Sequence, residues 1–264
     1  MSEDAPVLSH LDELRRRLVI SAIAIGCGFV LCYVFKQHLF HLLVSPLMKV
    51  MKSGETMVYT SLPEAFFTYI KVSLLAGIML ASPVIFYQFW MFVGPGLYPT
   101  ERRAVLPIVI LSSFFFIAGA LFGYFVVFPL GFEFFLSFAT ENIRPLPSMK
   151  EYFSFSSKLL LAFGFAFELP LVLTGLARLG IVTPVFLKKN RKYAILIFFA
   201  GAAIMTPPDV VSQVMMGVPL MFLYELSIFG AKIFGKKTSV NGDDADGEDA
   251  DDDAPDPENK QAGD

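Results

Sequence analysis

The chain has 264 residues, 55% of them hydrophobic and 15% aromatic, with 29 phenylalanines and a mean hydropathy of +0.61. A water-soluble domain of this size has too little interior to hide so much apolar surface, so the composition excludes one and indicates a membrane protein. The formal net charge of −3 conceals a division: of 24 acids and 21 bases, 11 acids and one base fall in residues 243–264, leaving about +7 on the remainder.

Residues 1–17 are expected to form a cytoplasmic amphipathic N-terminal helix. Ser9 can cap it, Leu11, Leu14 and Leu18 share one stripe, and that stripe is expected to lie on lipid headgroups before the chain turns into the bilayer. The acidic start carries no small-residue cleavage site and does not read as a cleavable signal peptide. Residues 18–237 then read as a six-span membrane domain, with spans at about 18–35, 72–93, 105–128, 159–176, 193–205 and 210–229. The last two are short. At 1.5 Å per residue the fifth covers only about 20 Å of a hydrocarbon core of roughly 30 Å.

Charge gives the orientation. Lys188, Lys189, Arg191 and Lys192 precede the fifth segment, and Lys232, Lys236 and Lys237 follow the sixth, whereas Thr206-Pro207-Pro208-Asp209 between them has no base. The positive-inside bias places both flanks, Arg15–Arg17 and Arg102–Arg103 in the cytoplasm, with both termini. Residues 238–264 form an acidic tail with almost no apolar residue, expected to be disordered and cytoplasmic. The outer loops, 36–71 and 131–158, contain Pro46 and a helix start at Ser61-Leu62-Pro63-Glu64.

Four places carry polar chemistry. Glu13 stands among Arg15, Arg16 and Arg17; a Glu13–Arg17 pair at i,i+4 explains it locally at about 0.3–0.5 kcal/mol, and reception of a ligand's guanidinium is the alternative. Glu101 precedes Arg102 and Arg103 and follows Phe92-Val93-Gly94-Pro95-Gly96-Leu97-Tyr98-Pro99; it is either a helix-start acid or a second acceptor beside an apolar shelf. Glu168 lies inside the fourth span, where an ionised group costs several kcal/mol unless paired, so function is the default reading; Pro170 is positioned to kink the helix beside it. At the last turn, Asp209 can cap the sixth span and Gln213 can bond a neighbouring helix.

Cys27 and Cys32 have neither a CxxC nor a metal spacing, and His38 and His41 lack acidic partners. No phosphate loop, HExxH or GxSxG is present. No enzyme activity, cofactor, metal site or nucleic-acid partner is expected.

Six motifs keep one order along the chain. They are His10-Leu11-x-Glu13-Leu14-Arg15-x-Arg17, Ser82-Pro83-x-x-x-Tyr87-Gln88-x-Trp90-x-Phe92, Leu97-Tyr98-x-x-Glu101-Arg102-Arg103, Phe125-Val126-Val127-Phe128-Pro129, Phe163-Gly164-x-x-Phe167-Glu168-x-Pro170 and Thr206-Pro207-Pro208-Asp209-x-x-Ser212-Gln213. Through them the sequence resembles the TatC family, polytopic receptors of the twin-arginine protein translocase.

The resemblance implies an all-α polytopic membrane protein, six helices forming a concave bundle, in the bacterial cytoplasmic (inner) membrane. It implies binding of paired-arginine signal peptides on folded cargo, with export driven by the proton-motive force. Glu13 and Glu101 would contact the arginines, with Arg15, Arg17, Phe92, Leu97, Tyr98 and Arg103 on the same surface. Pro46, Glu168, Thr206, Asp209 and Gln213 would serve transport or the docking of single-span TatA and TatB subunits. Self-association within the lipid bilayer is also implied. The main alternative is a proton-coupled secondary transporter using Glu168.

Overall fold

The structure, a computed structural model, describes residues 5–51, 56–93, 105–140, 145–205 and 209–235. The acidic tail lies outside the described residues. Almost everything described is helical, and the helices run alternately between two faces. One face, here the basic face, carries Arg15–Arg17 and Lys188–Lys192.

Helix α1 (Ala5–Val34) runs unbroken for 30 residues. The turn expected after residue 17 is absent, because no Pro or Gly occurs between Val7 and Ile25 and leucine, arginine and alanine there favour continued helix. The acid-arginine segment is thus a rigid extension of the first span. α1 touches the bundle along one edge only: 6% of its most apolar window is buried. That edge is set by a glycine pair, since a Cβ on Gly28 would meet the Gly77 carbonyl at 2.7 Å. Only two residues without side chains allow so close an approach.

Helix α3 (Glu64–Val93) follows α2 (Lys36–Val50), and α4 (Val105–Phe122) passes through a widened turn, Gly123–Val127, into α5 (Phe128–Leu136). α6 (Met149–Phe167) and α7 (Leu169–Arg178) form one path broken at Glu168, because Pro170 has no N–H to continue the ladder. α8 (Pro184–Lys189) precedes the pair α9 (Arg191–Met205) and α10 (Val210–Phe234). Among the described residues, five stretches are long and apolar enough to cross a membrane: 11–34, 64–92, 105–136, 149–178 and 210–234. α9, with 15 residues, covers about 22 Å and is not among them. The sixth segment is not short: α10 continues through Gly230-Ala231-Lys232-Ile233-Phe234 to 25 residues. The shortness expected of both final segments belongs to α9 alone.

The face opposite the basic one is held by two devices. Glu64 is 5% exposed and accepts five hydrogen bonds. Thr60 N and Oγ1 (2.7 and 3.0 Å) and Ser61 N (3.3 Å) donate to Oε2, and Ser148 Oγ (2.9 Å) and Lys150 N (2.8 Å) donate to Oε1. Five donors around one carboxyl are the environment of an ionised carboxylate. Nearby, Val58 and Ser148 pair in a short parallel bridge.

The second device centres on Pro46, buried within α2 rather than in an open loop. A proline leaves the carbonyl four residues back without its donor. Tyr124 Oη supplies it, donating to the Leu42 carbonyl at 2.6 Å, and Tyr152 Oη donates to the next carbonyl, Leu43, also at 2.6 Å. The prediction is a coupled loss. Tyr124→Phe should lower the thermal stability of the purified protein by about 1–3 kcal/mol. In a Pro46→Ala background, where residue 46 regains its N–H, the same change should cost much less. Equal losses in both backgrounds would refute the link.

Candidate functional site

The glycine crossing fixes a register between α1 and α3, which run antiparallel. Eleven residues from Gly28 towards the basic face stands Arg17, and eleven beyond Gly77 stands Gln88. These two are in contact, with Arg17 Nη1 donating to Gln88 Oε1 at 3.4 Å. Four residues further along each helix are Glu13 and Phe92, placed at the same level. Arg17 also donates to Glu13, through Nε at 3.1 Å and through Nη2 in a close ion pair. Both nitrogens converge on one carboxylate oxygen, Oε1, so Glu13 already holds a guanidinium through its planar fork, a donor arrangement that lysine lacks. Arg15 and Arg16 are exposed beside it. Leu97, Tyr98, Glu101 and Arg103 lie outside the described residues.

On the other side of α3 is a second polar cluster. Two residues from Gln88, and so about 200° around the helix, Trp90 faces α4 and donates its indole N–H to Ser112 Oγ at 2.8 Å. Ser112 is fully buried on α4, at the level of Glu168 across the contact between α4 and α6. Glu168 is 6% exposed and its Oε1 has no hydrogen-bond partner. The helices meet closely here: a Cβ on Gly164 would strike the Phe116 ring at 2.7 Å, and Gly119 backs directly onto the Phe163 carbonyl. The proline break at Pro170 leaves Glu168 at the seam between α6 and α7, with φ −72° and ψ −20°.

The third cluster joins α9 to α10. Asp209 caps α10, accepting from Ser212 N at 2.8 Å, and Gln213 Nε2 donates to the Phe199 carbonyl at 2.9 Å. Gly217 packs under the Phe199 ring, and Arg191 pairs with Glu225 at 2.8 Å. Asp209 and Gln213 thus both spend hydrogen bonds inside the hairpin; Thr206 lies outside the described residues. Pro46 sits on the opposite face, well separated along α1 and α2 from the Glu13 cluster.

Sequence reasoning singled out Glu13, Arg17 and Glu168, but it missed Ser112 and treated Glu64, Gln88 and Trp90 only as parts of motifs or helix starts. Ser112 and Ser113 are the only polar residues between Val105 and Gly123, which was the available signal. No group of three or more metal-ligating side chains occurs among the described residues.

Long apolar helices, a basic face and polar clusters at helix contacts define a multi-pass membrane protein with no catalytic constellation among the described residues. Comparison places it further. The family model described as Sec-independent protein translocase protein (TatC) matches residues 9–219. A protein of Desulforapulum autotrophicum with that name is 64% identical over 230 residues, covering 87% of this chain and 85% of its own length. The Escherichia coli K12 protein of that name is 38% identical over 229 residues, covering 87% and 89%. A crystal structure of the twin arginine translocase receptor TatC superposes with a TM-score of 0.78 at 44% identity, over 85% of this chain and 99% of that one. The chain belongs to the TatC family and is a translocase component rather than an enzyme.

A prediction follows for the hairpin. Gln213→Leu removes the side-chain bond to α9 and should weaken the α9–α10 contact by about 1 kcal/mol, read as faster hydrogen exchange across residues 195–205. Unchanged exchange there would show that the bond contributes nothing.

Proposed function

We propose that the chain is the receptor subunit of a bacterial twin-arginine translocase, seated in the inner membrane with its basic face and both termini in the cytoplasm. It binds the paired-arginine signal peptides of folded cargo and gathers single-span TatA and TatB type subunits for export driven by the proton-motive force. The observation that carries this reading is Glu13 Oε1 holding the Arg17 guanidinium through Nε and Nη2 at the basic end of α1. A carboxylate that accepts one guanidinium in this geometry can accept another. Glu101, in the motif shared with the family, is the second acceptor, and two acids on separate segments suit a pair of adjacent arginines. Phe92, Leu97 and Tyr98 offer the apolar shelf for the residues that follow. The signal's apolar stretch then runs along the exposed apolar faces of the bundle, and Asp209 and Gln213 shape the hairpin against which the small subunits dock.

Arg17 has a defined part in this scheme. It cannot attract a cationic peptide, so it acts as an internal stand-in that the incoming arginine displaces. Gln88 receives the displaced side chain, since its Oε1 is already in contact with it.

The test is binding of a labelled Arg-Arg signal peptide and its Lys-Lys variant to the purified full chain in nanodiscs. Glu13→Ala and Glu101→Ala should each weaken Arg-Arg binding by about tenfold or more, the cost of a charge-assisted bond, and the Lys-Lys peptide should bind correspondingly less well. Equal affinities throughout would sink the receptor reading. Arg17→Gln should move the other way and tighten Arg-Arg binding, because it removes the guanidinium held on Glu13 Oε1 and with it a repelling charge. Weaker binding in that variant would rule out displacement and make Arg17 a direct contact.

A further inference from the structure

We propose that Ser112 is the positioning residue of Glu168, and that Trp90, Ser112 and Glu168 form one hydrogen-bonded line that couples the buried carboxyl to the arginine-holding face of α3. The coupling half of this proposal rests on the receptor reading above.

The direction of the line is fixed by the chemistry of its members. An indole N–H can only donate, so Trp90 must give its proton to Ser112 Oγ, as the 2.8 Å contact shows. The serine oxygen is then occupied as an acceptor, and its own O–H is left to donate elsewhere. Ser112 is completely buried, and the crossing of Gly164 on Phe116 brings Glu168, four residues further along α6, level with Ser112, four residues back along α4, so the Glu168 carboxyl is assigned as its acceptor. The order Trp90 to Ser112 to Glu168 therefore gives the indole and the hydroxyl hydrogen an acceptor each.

Two features make the line more than local packing. First, it ends on a carboxyl whose Oε1 is buried and has no partner. A donor arriving at Oε1 draws electron density from the carboxyl, weakens its acceptance from Ser112, and so relaxes the bond from Trp90; hydrogen bonds in series in a low-dielectric interior change together. Second, the line begins on the helix that also carries Gln88. Gln88 meets Arg17 on one face of α3, and Trp90, two residues on, meets α4 on the opposite face. Rotation or translation of α3 as Arg17 is displaced moves both contacts at once. The register agrees across the bundle: Phe86 meets Phe116 where Trp90 meets Ser112, so α3 and α4 are keyed at both positions and do not slide independently.

Trp90 is the chain's single tryptophan, so the line carries its own probe. In the full chain in nanodiscs, Glu168→Gln should shift the Trp90 emission maximum, and that shift should vanish in a Ser112→Ala background and return with Ser112→Thr, which keeps the hydroxyl. No peptide is needed for this arm. An emission maximum unmoved by Glu168→Gln, or moved equally with and without the serine hydroxyl, overturns the line. If Ser112→Ala does not assemble, Ser112→Gly takes its place, and a shift that survives loss of the hydroxyl overturns the line.

In the second arm the Arg-Arg peptide is titrated while its binding is followed separately by anisotropy. Binding should shift Trp90 emission in the wild type, and Ser112→Ala should bind within about twofold of the wild type yet lose the shift, a difference of under 0.5 kcal/mol in affinity. Peptide that binds without any change in emission overturns the coupling and leaves the receptor reading intact. Peptide that does not bind at all overturns the receptor reading and the coupling with it, while the first arm still decides the line.

Discussion

Every backbone N–H and C=O in the hydrocarbon needs a partner from the protein itself, and that requirement governs this structure. Prolines within the helices each free a carbonyl that the helix cannot serve, and the chain answers them in different ways. At Pro46 the partner comes from another helix, through Tyr124. At Pro83 it comes from the preceding residue, since Ser82 Oγ donates to the Met79 carbonyl at 2.8 Å. Before Pro129 the helix widens, and Phe128 N reaches back to the Gly123 carbonyl. At Pro170 the helix breaks, and the break is where Glu168 sits. At Pro46 and Pro83 a polar side chain stands where a proline has freed a carbonyl.

The same economy explains why small residues stand at the helix contacts. Lipid is as apolar as the side chains, so helices gain by close approach more than by burying oily surface. Gly28 on Gly77 and Gly119 on the Phe163 carbonyl are the results. The first crossing has a functional corollary, because it sets the register that brings Arg17 to Gln88. A larger residue at either glycine would push α1 away and separate Glu13 from the α3 surface without altering either functional side chain.

Much of the plan was legible in the sequence because long apolar runs and charge asymmetry are local signals. The helices that overlap the second, third and fourth expected spans each extend beyond the expected limits on the face opposite the basic one, to Glu64, Leu136 and Met149. Hydropathy stops at the edge of the oil, whereas a helix stops where its hydrogen bonding ends. The proline break beside Glu168 could be foreseen from Pro170 alone. The Ser112 contact could not, since it depends on how α4 turns against α6, a property of packing rather than of spacing. The pairing of Glu13 with Arg17 was readable from i,i+4 geometry; their link to Gln88, 71 positions away, was not.

The Glu64 carboxylate has a bearing on how the molecule is made. Its donors come from two places in the chain: Thr60 and Ser61 are immediate neighbours, but Ser148 and Lys150 follow 84 and 86 residues later. Tyr124 and Tyr152 close onto α2 over comparable separations of 82 and 109 residues. During synthesis the earlier helices must therefore wait, with the Leu42 carbonyl served by water until the third long helix is threaded and one Glu64 oxygen until the fourth is. Completion of that cap marks the moment at which the nascent chain becomes a locked bundle, and a quality-control protease would find its openings before it and not after.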